Sequence, residues 1–150
     1  MNQPLPGMRR PQMPAKASEK DYQDVVVGMA VKILHWESHH VYPLTDSRGN
    51  WRTPTSGTMA KGFPDWIFIR EDWQVAVEFK GFSADGKPTP TQPGQERCLD
   101  LLARGPQHRA WMLRPTDDWD LTVSWFRHPW TAPRTYGYES ALGRNLDVRL

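Results

Sequence analysis

Hydrophobic and polar positions are most sharply ordered over residues 62–80, GFPDWIFIREDWQVAVEFK. Two short apolar runs, at 66–69 and 75–77, flank the polar stretch Arg70-Glu71-Asp72. β-Branched and aromatic residues on either side of such a turn predict the two strands of a hairpin. Alternation along the second strand puts Val75, Val77 and Phe79 on one face, and Ala76, Glu78 and Lys80 on the other. Pro64 cannot donate to a sheet, so Asp65 sits at the mouth of the first strand. Upstream, Tyr22, Val25, Val26, Met29, Ala30, Ile33 and Leu34 recur at helical spacing. Ser18 is a good N-cap for that helix, and Glu19, Asp21 and Asp24 favour the positive end of its dipole. A second helix begins at Gln95, with Cys98, Leu99, Leu101 and Leu102 as its apolar side, and Gly105-Pro106 ends it. Residues 110–115, AWMLRP, predict a third central strand. The connections at 45–59 and 81–94 are long, polar and rich in turn residues. Residues 1–17 carry four prolines, Arg9, Arg10 and Lys16 with no periodicity, and read as a disordered basic arm.

A carboxylate and an ammonium two residues apart are out of place on so apolar a strand. Burying them is costly unless something compensates, and a divalent metal would. Asp65 and Glu78 supply hard oxygen ligands of the kind Mg²⁺ takes. Lys80 can then orient the attacking water or stabilise charge developing on a phosphate. The plainer alternative is an ordinary hairpin with a Glu-Lys pair on a solvated face. His35 and His39 have zinc-like spacing for a continuous helix, but no third ligand is apparent.

Composition narrows the classes. The 150 residues are 38% hydrophobic and 24% charged, which suits one domain with a sizeable core. The single cysteine, Cys98, excludes an internal disulfide and a multi-cysteine zinc site, and fits a reducing compartment. No apolar run is long enough to span a membrane, and no signal peptide is recognisable. A net charge of +2 is too small for a global attraction to nucleic acid, so any DNA contact must be local. Arg48, Arg52 and Lys61, with Trp51 among them, form a basic and aromatic set suited to backbone contacts and base stacking. Lys87 adds a charge in the second loop.

Pro64-Asp65 followed by Glu78-Phe79-Lys80 resembles the PD-(D/E)xK nuclease superfamily. The longer string GFPDWIFIR…VAVEFK is similar to its VRR-NUC branch, which includes many phage and bacterial proteins and resembles Holliday-junction resolvases. The likeness runs over about residues 18–125. Within it, TPGQERCLDLL resembles T-P-x-Q-x-x-W-L-x-x-L, with Cys98 in place of the aromatic residue. Asp46-Ser47-Arg48 resembles the DSR that precedes GFPD, the segment ending in Arg114-Pro115 matches a V-x-R-P strand, and Asp117-Asp118-Trp119-Asp120 looks like P-S-D-W-D at a helix start.

That resemblance implies an α/β fold with a restriction-endonuclease-like core, a central mixed β-sheet flanked by α-helices, over residues 18–127. Residues 128–150 lie outside the resemblance, an aromatic and basic extension that wraps the domain, binds a partner or is partly disordered. It makes residues 36–42 a strand. It implies Mg²⁺ or Mn²⁺ held by Asp65, Glu78 and the backbone carbonyl of Phe79, with Lys80, Glu19 and Gln95 completing the catalytic set, and Gln23 one turn from Glu19. It adds Arg114 to the DNA contacts. The implied activity is a metal-dependent endonuclease acting on branched duplex DNA. The protein is expected to work as a homodimer in the cytoplasm of a bacterial cell, encoded by the bacterium or by a phage. The competing classes are a non-catalytic DNA-structure-binding module and a protein-interaction factor that retain the fold.

Overall fold

The predicted hairpin lies at the centre of the sheet in a computed structural model that describes residues 17–41, 44–45, 47–52, 57–59 and 62–142. Strands β4 (Trp66–Arg70) and β5 (Trp73–Phe79) pair antiparallel in the register Arg70↔Trp73 to Trp66↔Val77. The turn between them places Glu71 at φ 54°, the left-handed conformation that tight hairpin turns demand. Strand β1 (Glu37–His40) pairs antiparallel with β4 and forms one edge. Strand β6 (His108–Leu113) runs parallel to β5, and the short β7 (Thr135–Tyr136) runs parallel to β6 at the other edge. The order is β1-β4-β5-β6-β7, so the fold is mixed α/β with a five-stranded mixed sheet flanked by helices. Strands β2 (Leu44–Thr45) and β3 (Trp51–Arg52) form a separate small hairpin in the first long loop.

The parallel β5–β6 pair needs a crossover, and α2 (Gln95–Leu102) supplies it. Helices α1 (Glu19–Gly28) and α3 (Trp119–Arg127) cover the opposite face. Val75, Val77 and Phe79 pack there with Tyr22, Val26, Phe68, Trp111 and Phe126. Ala76 faces α2 with Leu99, Ala103, Ala110 and Met112. The face carrying Glu78 is therefore buried, and the solvated Glu-Lys pair of the plainer reading is not what forms. Trp36 and Trp111 can be fully buried in this core because their N–H groups find partners. Trp36 Nε1 donates to the Phe126 carbonyl and Trp111 Nε1 to the Pro133 carbonyl, each at 3.0 Å.

Two boundaries differ from the sequence pattern for local reasons. Ser18 caps α1 as expected, accepting from the Asp21 N–H. The helix then widens into a π segment, Met29–Ile33, in which the Leu34 N–H reaches the Met29 carbonyl. The extra residue in that turn carries Ile33 off the buried face, and it is 47% exposed. The third strand spans residues 108–113 rather than 110–115, because the Arg114 N–H turns to the Asp117 carboxylate. Asp118 caps α3, accepting from the Leu121 N–H, so the Asp117–Asp120 acids serve a helix start. Among the outcomes left open for the C-terminal residues, 129–142 wrap the domain. They contribute β7, and the buried Asp100 carboxylate accepts from Tyr138, Ser140 and the Ala141 N–H. Residues 1–16 of the expected arm and 143–150 of the tail lie outside the described residues.

Candidate active site

The register Trp66↔Val77 sets Asp65, one residue ahead of β4, opposite Glu78 on β5. The two are tied reciprocally: the Asp65 N–H donates to Glu78 Oε2, and the Phe79 N–H donates to Asp65 Oδ2, both at 3.2 Å. Lys80 continues the ladder through its N–H to the Leu113 carbonyl. Its ammonium lies 3.4 Å from Glu78 Oε1, and both side chains are buried.

Gln95, the first residue of α2, completes this cluster. Its Nε2 donates to Glu78 Oε1 at 2.6 Å while its Oε1 accepts from the Gln92 N–H at 2.7 Å. The two bonds fix the amide orientation and lock the Glu78 rotamer. The approach depends on Gly62, at φ 99°, where a Cβ would lie 2.5 Å from the Gly94 carbonyl carbon. A side chain there would push the Asp65 loop away from the start of α2. From the other side, Glu19 at the head of α1 packs against Gly81, whose N–H bonds to its carboxylate.

Three carboxyl groups thus face one ammonium. Burial pushes Glu78 up to about 8, the Asp65 charge adds to the rise, and Lys80 opposes it. Asp65 is also raised, by burial foremost, against the Phe79 hydrogen bond and Lys80. Glu19, although exposed at the rim, is raised by partial desolvation and then by Asp65. Carboxyls held above their ordinary range by burial and mutual repulsion mark a place that a cation would relieve. The donor chemistry suits a hard dication, which uses one or two carboxylates and keeps several waters. Among the described residues, no group of three or more His, Cys, Asp or Glu side chains is placed to hold a metal ion together.

Of the expected DNA-binding residues, Arg48, Lys87 and Arg114 have side chains among those described. Arg114 is half-buried, and its guanidinium donates to the Gly81 and Thr89 carbonyls, fastening the loop beside the site. Lys87 is exposed in that loop, 3.9 Å from Asp85. Arg48 is exposed in the turn after β2. Lys61 and the side chains of Trp51 and Arg52 lie outside the described residues. Cys98 is buried in α2, as its place in the apolar pattern implied, and its thiol donates to the Met59 carbonyl. His39 and His40 lie on β1, so the zinc-like spacing of His35 and His39 does not fall on a helix. Sequence reasoning missed the stacking of His40 on Trp66, with ring centroids 4.2 Å apart. The signal was the strand pairing, which sets these two residues side by side.

No protein-family profile, curated protein or solved structure matches this chain. Among the described residues, no helix is long and apolar enough to cross a membrane.

Proposed function

We propose that this chain is a divalent-metal-dependent nuclease that hydrolyses DNA phosphodiester bonds, acting as a structure-specific endonuclease on branched DNA. The observation that carries the reading is the convergence of Asp65, Glu78, Lys80 and Gln95 at one end of β5, with Glu19 beside them. The finer fold reading, a restriction-endonuclease-like core of the VRR-NUC kind, draws support from the element order. A helix leads into three antiparallel strands, and a crossover helix then returns the chain to a parallel strand.

In this reading Asp65, Glu78 and the Phe79 carbonyl hold Mg²⁺ or Mn²⁺. When bound, that ion polarises a phosphate oxygen and lowers the pKa of a coordinated water. Lys80, beside Glu78, orients the water or meets the charge that develops on the phosphate. Gln95 keeps the Glu78 carboxylate aimed, and Glu19 adds negative charge at the rim. Glu78 gives up its proton as it takes up the ion. A homodimer would supply a second site for the second strand of a branched duplex.

One observation favours a non-catalytic DNA-binding module instead. Both Glu78 oxygens already accept hydrogen bonds, Oε1 from Gln95 and Oε2 from Asp65. Incubation with linear, flap and four-way-junction DNA, each with and without Mg²⁺ or Mn²⁺, separates the two. Metal-dependent cutting, strongest on a branched substrate, is expected of the nuclease. Binding without cutting under every condition would leave the module.

A further inference from the structure

A cleft of about 680 Å³ opens directly off the carboxylates. Glu19 and Asp65 close one end, Gly28 and Lys32 stand on its helical wall, and His40 and Trp66 line the wall made by the sheet. The volume falls within the roughly 300–1,000 Å³ of sites that enclose one small organic ligand. A single nucleotide fits such a space and a duplex does not.

Both walls carry features that packing alone does not require. Gly28 has ordinary helical dihedrals, φ −58° and ψ −42°, which any residue can adopt. A Cβ there would meet nothing within 4 Å, so the glycine keeps open space open, at the usual helical cost. The π segment follows at once and brings Lys32 to the rim, and such segments recur at functional sites. On the sheet wall the His40 imidazole stacks on the Trp66 indole, 4.2 Å apart with the planes 4° from parallel. Trp66 in turn stacks on Phe68, so His40 is the end of an aromatic column, and burial, then His39, hold its pKa below the ordinary value.

We propose that this cleft seats one unpaired nucleotide of a DNA strand next to the scissile phosphate, with its base against the His40–Trp66 stack and its backbone passing Lys32. The inference rests on the nuclease reading and adds that the strand must be single or frayed where it enters. Stacking platforms of this kind tolerate any base, so the site recognises the unpaired state and not a sequence.

The test is fluorescence anisotropy with a labelled short oligothymidylate and with a blunt duplex of equal length, Ca²⁺ replacing Mg²⁺. Gly28→Leu fills the cleft without straining the helix, so it should melt at or above the wild-type temperature. It should also weaken single-strand binding about fivefold or more, the effect of losing one base stack, and leave duplex affinity in place. His40→Ala should do the same and His40→Phe should restore binding, while Lys32→Ala should make the salt slope shallower by about one. A folded Gly28→Leu protein that binds the oligonucleotide as tightly as wild type overturns the cleft. If that protein's parent still cuts DNA with Mn²⁺, the nuclease reading stands without it. If Gly28→Leu and His40→Ala weaken binding but the wild type cuts nothing, the cleft stands and the nuclease reading falls.

Discussion

Glu78→Gln is expected to stabilise the metal-free protein at pH 8, although it removes half of a buried ion pair. The carboxyl of Glu78 is pushed up to about 8 in the folded protein, from an ordinary 4.5. Because the folded value lies above the unfolded one, the folded protein holds a proton that the unfolded chain has already lost. Its contribution is complete below about pH 4.5 and disappears as pH rises through about 8. Each pH unit inside that window costs about 1.4 kcal/mol. Between pH 5.5 and 8 the loss is then on the order of 3 kcal/mol, shared with Asp65 and Lys80. Glutamine has no proton to lose and escapes this loss. It keeps an oxygen for the Asp65 N–H, but its amide meets the Gln95 amide, a mismatch of about 1 kcal/mol. The variant should therefore be about as stable as wild type at pH 5.5, where the wild type has already lost about 1.4 kcal/mol, and on the order of 3 kcal/mol more stable at pH 8. Urea unfolding followed by tryptophan fluorescence, in EDTA across this range, measures both curves. A difference between the two proteins that does not change with pH would refute the reasoning, since Glu78 would then be ionised throughout and held by Lys80.

The same carboxyl couples metal binding to protons. Calorimetry in buffers of different ionisation enthalpy should show Mn²⁺ binding with proton release, tightening as pH rises toward 8; pH-independent binding would place the ion away from Glu78. Lys80→Ala should lower the cleavage rate far more than metal affinity, because an ammonium is not a ligand; equal loss of both would make Lys80 the structural counter-charge of Glu78. Replacing Arg48, Arg52 and Lys61 together by Ala should weaken DNA binding and flatten a wild-type salt slope of roughly −2 to −4. Unchanged affinity would remove that loop from the interface.

The centre of the fold was legible because its signals are local. Period-two alternation set the faces of β5, and the spacing of Asp65 from Glu78 matched one hairpin with a tight turn. Gln95 stood out only through the family resemblance. Its bond to Glu78 depends on the close passage of Gly62 over Gly94, a contact between segments more than thirty residues apart. The π segment was not legible, because one turn of i→i+5 bonding leaves no periodicity in a run as apolar as VVVGMAVKIL. Strand β7 is two residues long and carries no pattern of its own. Its place comes from long-range hydrogen bonds such as Trp111 to Pro133 and Tyr138 to Asp100. Arg114 joined the expected DNA contacts through the family resemblance, and its bonds to the Gly81 and Thr89 carbonyls were not legible because they reach a loop more than twenty residues away.

The central claim is that Asp65 and Glu78 together hold the ion that cleaves DNA. Strand-resolved cleavage of a labelled four-way junction in saturating Mn²⁺ tests it most directly, with wild type, Asp65→Asn and Glu78→Gln assayed side by side and their folding checked by thermal melts. The account predicts cutting by wild type, abolished by EDTA, and none by either folded variant. Cutting by a variant at the wild-type rate, or no cutting of any substrate by the wild type, would contradict it.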